Sequence, residues 1–548
     1  MLTKAIRNCT MKNSAINNLL RTAAIMLTLF SLFLTACGGN TTANPDASAE
    51  PTDMPSETAI PSPASGGTLS LPMPENISVN NPDYSPLLVY TEEMLQLFSL
   101  VYDPLIAVDE SNMLVPSLAQ SWTQDPENEN AWLVTLRKEV RWHSGEPLTA
   151  DDVVYTYSTL YILGSESYYA SSLNNIERVE KVDDLTLRFH MNSAGLTALY
   201  ALNFPVIKEN SDRLVGTGAY KAGSLSDEVI RLNVNNDWWD RPPYIQTIEF
   251  LARPTNDTAL ASYSAGQLNF VPTAQLAVGK YSEPGVTVVK DMMTQNMEVL
   301  LVNHRRLVMN QTNLRRAIIH AINRSQIITN IYMNRARSSD VPFPPDSWLY
   351  DSNATQFNYN VQTASTLLDG MGYALNGDGM RSITLTLLTS STTENTTRAE
   401  AAQLIASQLE QVGITVNIVT ASHTYGDTQS EFLLALEAGD WDIALAGFNL
   451  NQNNDLSPYL TQDGKNNYGN YLGGSMNRLI ENMRDAADEE SLRECADKFQ
   501  QAFTEELPFI VLYFRLNSVV YSADLKGVDV MREPLLMRNI KGWYLRTE

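Results

Sequence analysis

Three cysteines and five histidines are the side chains with the most chemistry to offer in this 548-residue chain. Their spacing decides against most reactions. His143, His190, His304, His320 and His423 stand singly, with no His-Glu-x-x-His pair to hold zinc. There is no Gly-x-Ser-x-Gly elbow, no P-loop, no Gly-x-Gly-x-x-Gly after a strand and no Cys-x-x-Cys. Gly216-Thr217-Gly218 is too short for a phosphate cradle, and a tight turn accounts for it. His143 falls in Arg141-Trp142-His143-Ser144-Gly145, which reads as a turn, and His320 lies one step off an apolar helical face beside Arg316. Carboxylates are abundant, yet no spacing pairs two of them as acid and base. No catalytic or metal-ligating set is assigned, no cofactor is implied, and the chain is expected not to be an enzyme. Among the cysteines, Cys495 follows a helical pattern with Leu492, Ala496 and Phe499, where a thiol packs as a small hydrophobe. Cys9 and Cys37 lie close to the start, so the folded part holds one thiol and no intramolecular disulfide.

Cys37 has the more specific surroundings. A leader carrying Lys4, Arg7, Lys12 and Arg21, with no acidic residue, precedes an apolar run from Ala23 to Leu34. That run is too short to span a bilayer comfortably and reads as the h-region of a signal. It ends in Leu34-Thr35-Ala36-Cys37 in place of a small-x-small cleavage site. This resembles the lipobox of bacterial lipoproteins. The resemblance implies diacylglyceryl transfer to the Cys37 thiol and cleavage before it, whether translation starts at Met1 or Met11. Residues 1–36 are then a lipoprotein signal peptide, and the protein is exported and anchored on the extracytoplasmic face of the cell membrane, in the periplasm if the envelope has two membranes. Residues 37–67 are Asn, Thr, Ser, Ala, Pro and acidic residues, with little apolar surface to offset chain entropy. They are expected to form a disordered tether.

The remaining chain is long enough for two or three domain-sized units. Losing the four basic leader residues takes Lys and Arg from 38 to 34, against 62 Asp and Glu. Such an acidic surface disfavours nucleic acid and anionic lipid headgroups as partners. No run after the h-region reaches the length of a membrane-spanning helix.

Periodicity predicts an α/β fold. Met94 to Val101 reads as a helix or turn, and strand patterns lie at Trp132–Leu136 and Leu185–Met191. Thr149 caps a helix through Asp152, with Val153, Tyr157 and Leu160 on one face. From Asn296 onward come a strand at 297–302, an amphipathic helix at 314–322 and a strand at 383–388. A helix at 399–412 follows, with Gly413 at its C′ position, and then a strand in which Ile414, Val416 and Ile418 alternate. That spacing predicts a βαβ unit with a parallel sheet. A short strand at 442–445 leads into a long Asn-rich loop from Gly447 to Tyr471. Two helices at 476–488 and 491–505 precede a strand at 509–514.

A series of blocks then carries a resemblance. It begins with Leu114-Val115-Pro116-Ser117-Leu118-Ala119-Gln120-Ser121-Trp122, runs through Trp132 to Arg137, and continues with His143-Ser144-Gly145-Glu146-Pro147-Leu148-Thr149-Ala150-Asp151-Asp152-Val153. Gly216-Thr217-Gly218-Ala219-Tyr220, Asn236-Asp237-Trp238-Trp239, Ser264-Ala265-Gly266-Gln267-Leu268, Leu314-Arg315-Arg316-Ala317 and Gly370-Met371-Gly372-Tyr373 follow in order. Over about Thr68 to Val530 the chain resembles the solute-binding proteins, family 5, of dipeptide, oligopeptide and nickel ABC importers. The resemblance implies a two-lobe periplasmic-binding-protein-like fold of type II with a hinge between the lobes. Lobe one would be 68–295, including an extra subdomain at about 110–205, lobe two 296–511, and 512–548 a C-terminal return to lobe one. Hinge crossings would fall near Asn296 and Leu512.

It also implies a ligand enclosed between lobes and presented to permease subunits by a receptor expected to be monomeric. Gly447, Phe448, Asn449, Asn451 and Asp455 are the expected ligand-binding residues. Peptide-binding members place an Asp for the ligand's α-ammonium where this chain aligns Asn451, so either Asp455 replaces it or the ligand has no free amino terminus. Tyr84, Tyr90 and Tyr513 are further candidates for stacking or hydroxyl contacts, whereas Trp238-Trp239 matches a structural block. The expected solute is a peptide or similar small molecule. Alternatives keep the fold and bind a nickel chelate, haem, a sugar or an opine-like compound, or make the protein a sensory surface lipoprotein without a permease.

Overall fold

The computed structural model describes residues 63–73, 85–89, 91–211, 214–253, 255–423 and 430–546. Its topology follows from three sheets. The strand Thr68–Met73 pairs in parallel with Thr247–Ala252, and Val229–Val234 and Tyr220–Leu225 extend that sheet in antiparallel fashion. The helix Glu92–Val101 covers it. Thr91 caps the helix by accepting from the Met94 amide at 3.2 Å, and Met94, Leu95, Leu97, Phe98, Leu100 and Val101 are buried. Capping removes one orphan amide, and the apolar face supplies the packing that a ten-residue helix lacks by itself.

A second sheet is antiparallel throughout and runs Ala119–Asp125, Asn128–Leu136, Thr186–Met191, Ile176–Lys181. The helix Ala150–Leu163 starts with the expected capping box, in which the Thr149 amide donates to Asp152 Oδ2 at 2.9 Å. Val153 and Leu160 are fully buried, while Tyr157 is only half-buried.

The third sheet holds seven strands. Six run in the order Phe270–Thr273, Ile510–Ser522, Thr287–Val302, Ile443–Asn449, Thr384–Ser390, Thr415–Ala421, and Ala336–Ser338 also pairs with Ile510–Ser522. The predicted βαβ unit is present: Thr384–Ser390, the helix Thr396–Glu410 and Thr415–Ala421, with the two strands parallel. Gly413 has φ +84° and lies against Leu375, so its left-handed turn and close approach both favour glycine. The whole sheet is mixed, however, because Thr287–Val302 is antiparallel to both of its neighbours. Of the alternating Ile414, Val416 and Ile418, the first is fully buried and the second half-buried, and burial is lost at Ile418. Thr415–Ala421 is the outermost strand, with Ile418 38% and Val419 47% exposed.

Two long strands, Thr287–Val302 and Ile510–Ser522, join the ends of this sheet. Their register shifts between Met293 and Met297. There the Thr294 hydroxyl donates to the Arg515 carbonyl at 2.8 Å and accepts from the Asn296 amide at 3.0 Å. A side chain thus replaces ladder bonds where the pairing breaks.

Several sequence motifs prove to be structural. Gly216 and Gly218 do not serve a positive-φ turn; both press on the Val101 backbone, leaving no room for a Cβ. His143 ties down the same segment, accepting from the Gly216 amide at 3.2 Å and donating to the Gly218 carbonyl at 3.0 Å. Burial lowers its pKa to about 4 and so keeps it neutral. The indoles of Trp238 and Trp239 both donate to the buried Asp103 carboxylate, at 3.3 and 2.7 Å. Cys495 is half-buried against the largest apolar core. Among the described residues no helix is long and apolar enough to cross a membrane.

Candidate functional site

In open α/β sheets the carboxyl ends of parallel strands and their following loops form the usual binding crevice. Gly447, Phe448 and Asn449 occupy one such end, but they are the last three residues of the strand Ile443–Asn449 and not part of the following loop. The sequence stopped that strand too early because glycine, phenylalanine and asparagine break its apolar run. Gly447 is exposed and pairs with Glu298 across the sheet. A Cβ there would run into the Arg398 guanidinium and sit 3.0 Å from Glu298 Oε1.

Those two side chains form a buried ion pair beneath it. Arg398 donates through Nε and Nη2 to the two Glu298 oxygens at 3.0 and 2.8 Å, and through Nη1 to Ser390 Oγ at 3.2 Å. Ser390 Oγ lies 2.7 Å from His423 Nε2. Burial opposes the charge on Arg398, but the Glu298 carboxylate overcomes it and holds the guanidinium above its ordinary pKa. Burial and the neighbouring Arg398 push His423 below the ordinary imidazole value.

The remaining expected residues are placed as follows. Phe448 is half-buried and lies 4.6 Å from Tyr459, ring to ring. Asn449 and Asn451 are exposed. Asp455 is half-buried, and its Oδ1 already accepts from the Ser457 amide and hydroxyl at 2.9 and 2.6 Å. Leu450 anchors the loop to the register break by donating to the Gln295 carbonyl at 3.0 Å. Tyr513 departs from expectation: it is fully buried, packed 4.8 Å from Tyr332, so its ring serves the core and not an open pocket. Tyr84, Tyr90 and Cys37 lie outside the described residues.

A cavity of about 300 Å³, which sequence reasoning missed, opens at the carboxyl ends of Thr68–Met73, Thr247–Ala252 and Phe270–Thr273. Glu92, Glu93 and Glu533 contribute carboxylates, and Met292, Asn517 and Arg253 complete the part of the wall that matters for charge. Arg253 is already engaged, donating to Ser262 Oγ at 2.6 Å and Gln267 Oε1 at 2.9 Å. Glu533 accepts from the Asn517 amide group. Desolvation first, and Glu92 second, raise its pKa from 4.5 to about 7, against the opposing effects of Asn517 and Arg515. Three carboxylates around one committed guanidinium suit a cationic group. No local pattern could have disclosed this site, since Glu92 and Glu533 stand at opposite ends of the chain.

The raised pKa gives a signed expectation. The folded state retains the Glu533 proton between pH 4.5 and 7 while the unfolded chain releases it, so this group's contribution declines as pH rises through that window. Glu533→Gln should therefore raise the melting temperature at pH 8 and leave it nearly unchanged at pH 4.5. An equal shift at both values would remove the assignment.

Among the described residues, no group of three or more His, Cys, Asp or Glu is arranged to hold a metal ion.

Comparison with solved structures gives the class. The fold matches HbpA2 from Haemophilus parasuis with a TM-score of 0.75 at 18% identity, covering 88% of this chain and 100% of that one. It matches the Bacillus subtilis oligopeptide-binding protein AppA in complex with a nonapeptide with a TM-score of 0.60 at 22% identity, covering 89% and 100%. The architecture is accordingly the two-lobe, type II periplasmic-binding-protein fold. Residues 113–470 match the bacterial extracellular solute-binding proteins, family 5, middle region, and the chain belongs to that family. In sequence it is 24% identical to the oligopeptide-binding protein AppA of Bacillus subtilis over 563 residues, covering 96% of this chain and 99% of that one. It is 25% identical to the peptide transport periplasmic protein SapA of Salmonella typhimurium, covering 79% and 84%.

Proposed function

We propose that the protein captures peptide-type solutes for an ABC importer and releases them to permease subunits, without covalent chemistry. The end-to-end similarity to an oligopeptide-binding protein carries this reading. The acidic cavity supports it. Asn451 supplies no charge for an α-ammonium, whereas Glu92 and Glu533 offer carboxylates close to the long strands. In this reading lobe one is 68–295 with 512–548, lobe two is 296–511, and they flex where the two long strands lose register. A ligand touching both lobes binds the closed form better and shifts the population toward it. Lipidation at Cys37 and the tether at 37–67 hold the receptor on the extracytoplasmic face of the membrane, which raises its effective concentration at the permease.

Purified protein, denatured and examined by mass spectrometry, should release peptides. Recovery of a nickel chelate, haem or a sugar in their place would overturn the ligand class while leaving the fold intact. Cys37→Ala should release the protein from the membrane or leave an unprocessed precursor. A variant that is cleaved normally and stays membrane-bound would refute the anchor.

A further inference from the structure

A second cavity, of about 210 Å³, lies between the antiparallel sheet region and the loop after Ile443–Asn449. Asn175, Ser193 and Thr197 wall it on one side, and Asn454 and Asp455 on the other, with Ile480 and Met483 adding apolar surface. Asn454 is the residue that requires explanation. It is 1% exposed, and neither its Oδ1 nor its Nδ2 has a partner within the protein. Burying an amide with both functions unpaired is unfavourable, and such groups are rare in folded proteins. Its neighbours are already committed: Asn453 Oδ1 accepts from the Asp455 amide, and Asp455 Oδ1 accepts from Ser457. The backbone at Asn454 has φ +51°, which asparagine tolerates but glycine would adopt more readily. Asparagine is one of the few residues with a side chain that adopts this conformation readily, so the backbone accounts for its presence but not for the unpaired state of its amide.

We infer that this cavity is a ligand subsite for a neutral carboxamide side chain of the bound solute. An amide presents a carbonyl and an N–H side by side, and those pair with Asn454 Nδ2 and Oδ1 respectively. Arg484 also lines the cavity but is already paired with Asp485 Oδ1 at 3.2 Å, so a carboxylate would meet Asp455 without a free cation, and an ammonium would satisfy only the acceptor. Methylenes leading to a carboxamide would rest on Ile480 and Met483. The subsite rests on the peptide-type reading for the identity of its ligand, but its chemistry can be tested separately.

The test uses the mature protein, pentaalanine, and the four peptides that carry one glutamine at positions 2 to 5. Calorimetry should show at least one glutamine position that tightens binding fivefold or more. Asn454→Gly, which suits the positive φ, should abolish that gain and change pentaalanine affinity less than twofold. A gain that persists in Asn454→Gly, or no gain at any position, would overturn the subsite. If pentaalanine does not bind at all, the peptide reading fails, and N-acetylglutaminamide decides the subsite by thermal shift. A shift in wild type that is lost in both Asn454→Gly and Ser193→Leu, the latter narrowing the cavity from its opposite wall, would sustain it. No shift in wild type would end it.

Discussion

Arg398→Met is expected to destabilise the protein by about 3–5 kcal/mol, because it strands Glu298 as an uncompensated buried charge. The side chains of Arg398 and Glu298 are 11% and 3% exposed, so water cannot take over the pairing. The double variant Glu298→Leu/Arg398→Met should recover most of the loss, since two apolar side chains of similar size need no partner. Protonation offers a second check. An unpaired buried carboxyl has a raised pKa, so the defect in Arg398→Met should be smaller at pH 4 than at pH 8. Denaturant midpoints followed by circular dichroism measure both effects. A double variant no more stable than Arg398→Met would show that the pair is not what the substitution breaks. Gly447 is bound to the same pair: any side chain there would displace the guanidinium.

Gly195→Val should disrupt the docking of segment 195–197 on residues 484–486. Gly195 has φ −77°, which any residue adopts, so space alone selects glycine. A Cβ would overlap the Arg484 carbonyl oxygen and lie 2.8 Å from its carbon and 2.9 Å from the Ala486 oxygen. The adjoining bonds, Leu196 N–H to Ala486 O at 2.7 Å and Thr197 Oγ1 to Arg484 O at 3.1 Å, would be lost with it. In the two-lobe reading this contact bridges the lobes, so its loss penalises the closed form. Overpacking of about 1–3 kcal/mol corresponds to a loss of roughly 5- to 150-fold in ligand affinity. Small-angle scattering should show a larger radius of gyration with ligand present. A variant that closes normally but melts earlier would instead mark the contact as permanent.

Legibility differed by element for physical reasons. The Thr149–Asp152 capping box and the Thr384–Ala421 βαβ unit were readable because caps and helical periodicity are local. The end of the Ile443–Asn449 strand was not, because its last residues are held by pairing with Asn296, Met297 and Glu298, far away in sequence. Tyr513 looked available for a ligand since a tyrosine in a strand carries no mark of which face is covered. Its packing on Tyr332 decided that. The Gly216–Gly218 turn was noticed, but its cause, the Val101 backbone, belongs to another element.

What the sequence determined by itself is the α/β pattern, the family blocks from 114 onward, and the absence of a known catalytic motif. These are properties of neighbouring residues and short spacings. Only the tertiary structure decided where charge and open space meet. Glu92 and Glu533 share a cavity because the chain's last segment returns to the first helix, and Asn454 shares one with Asn175 and Thr197, both far from it in sequence. Burial and pairing between distant residues set those features, and no local periodicity records them.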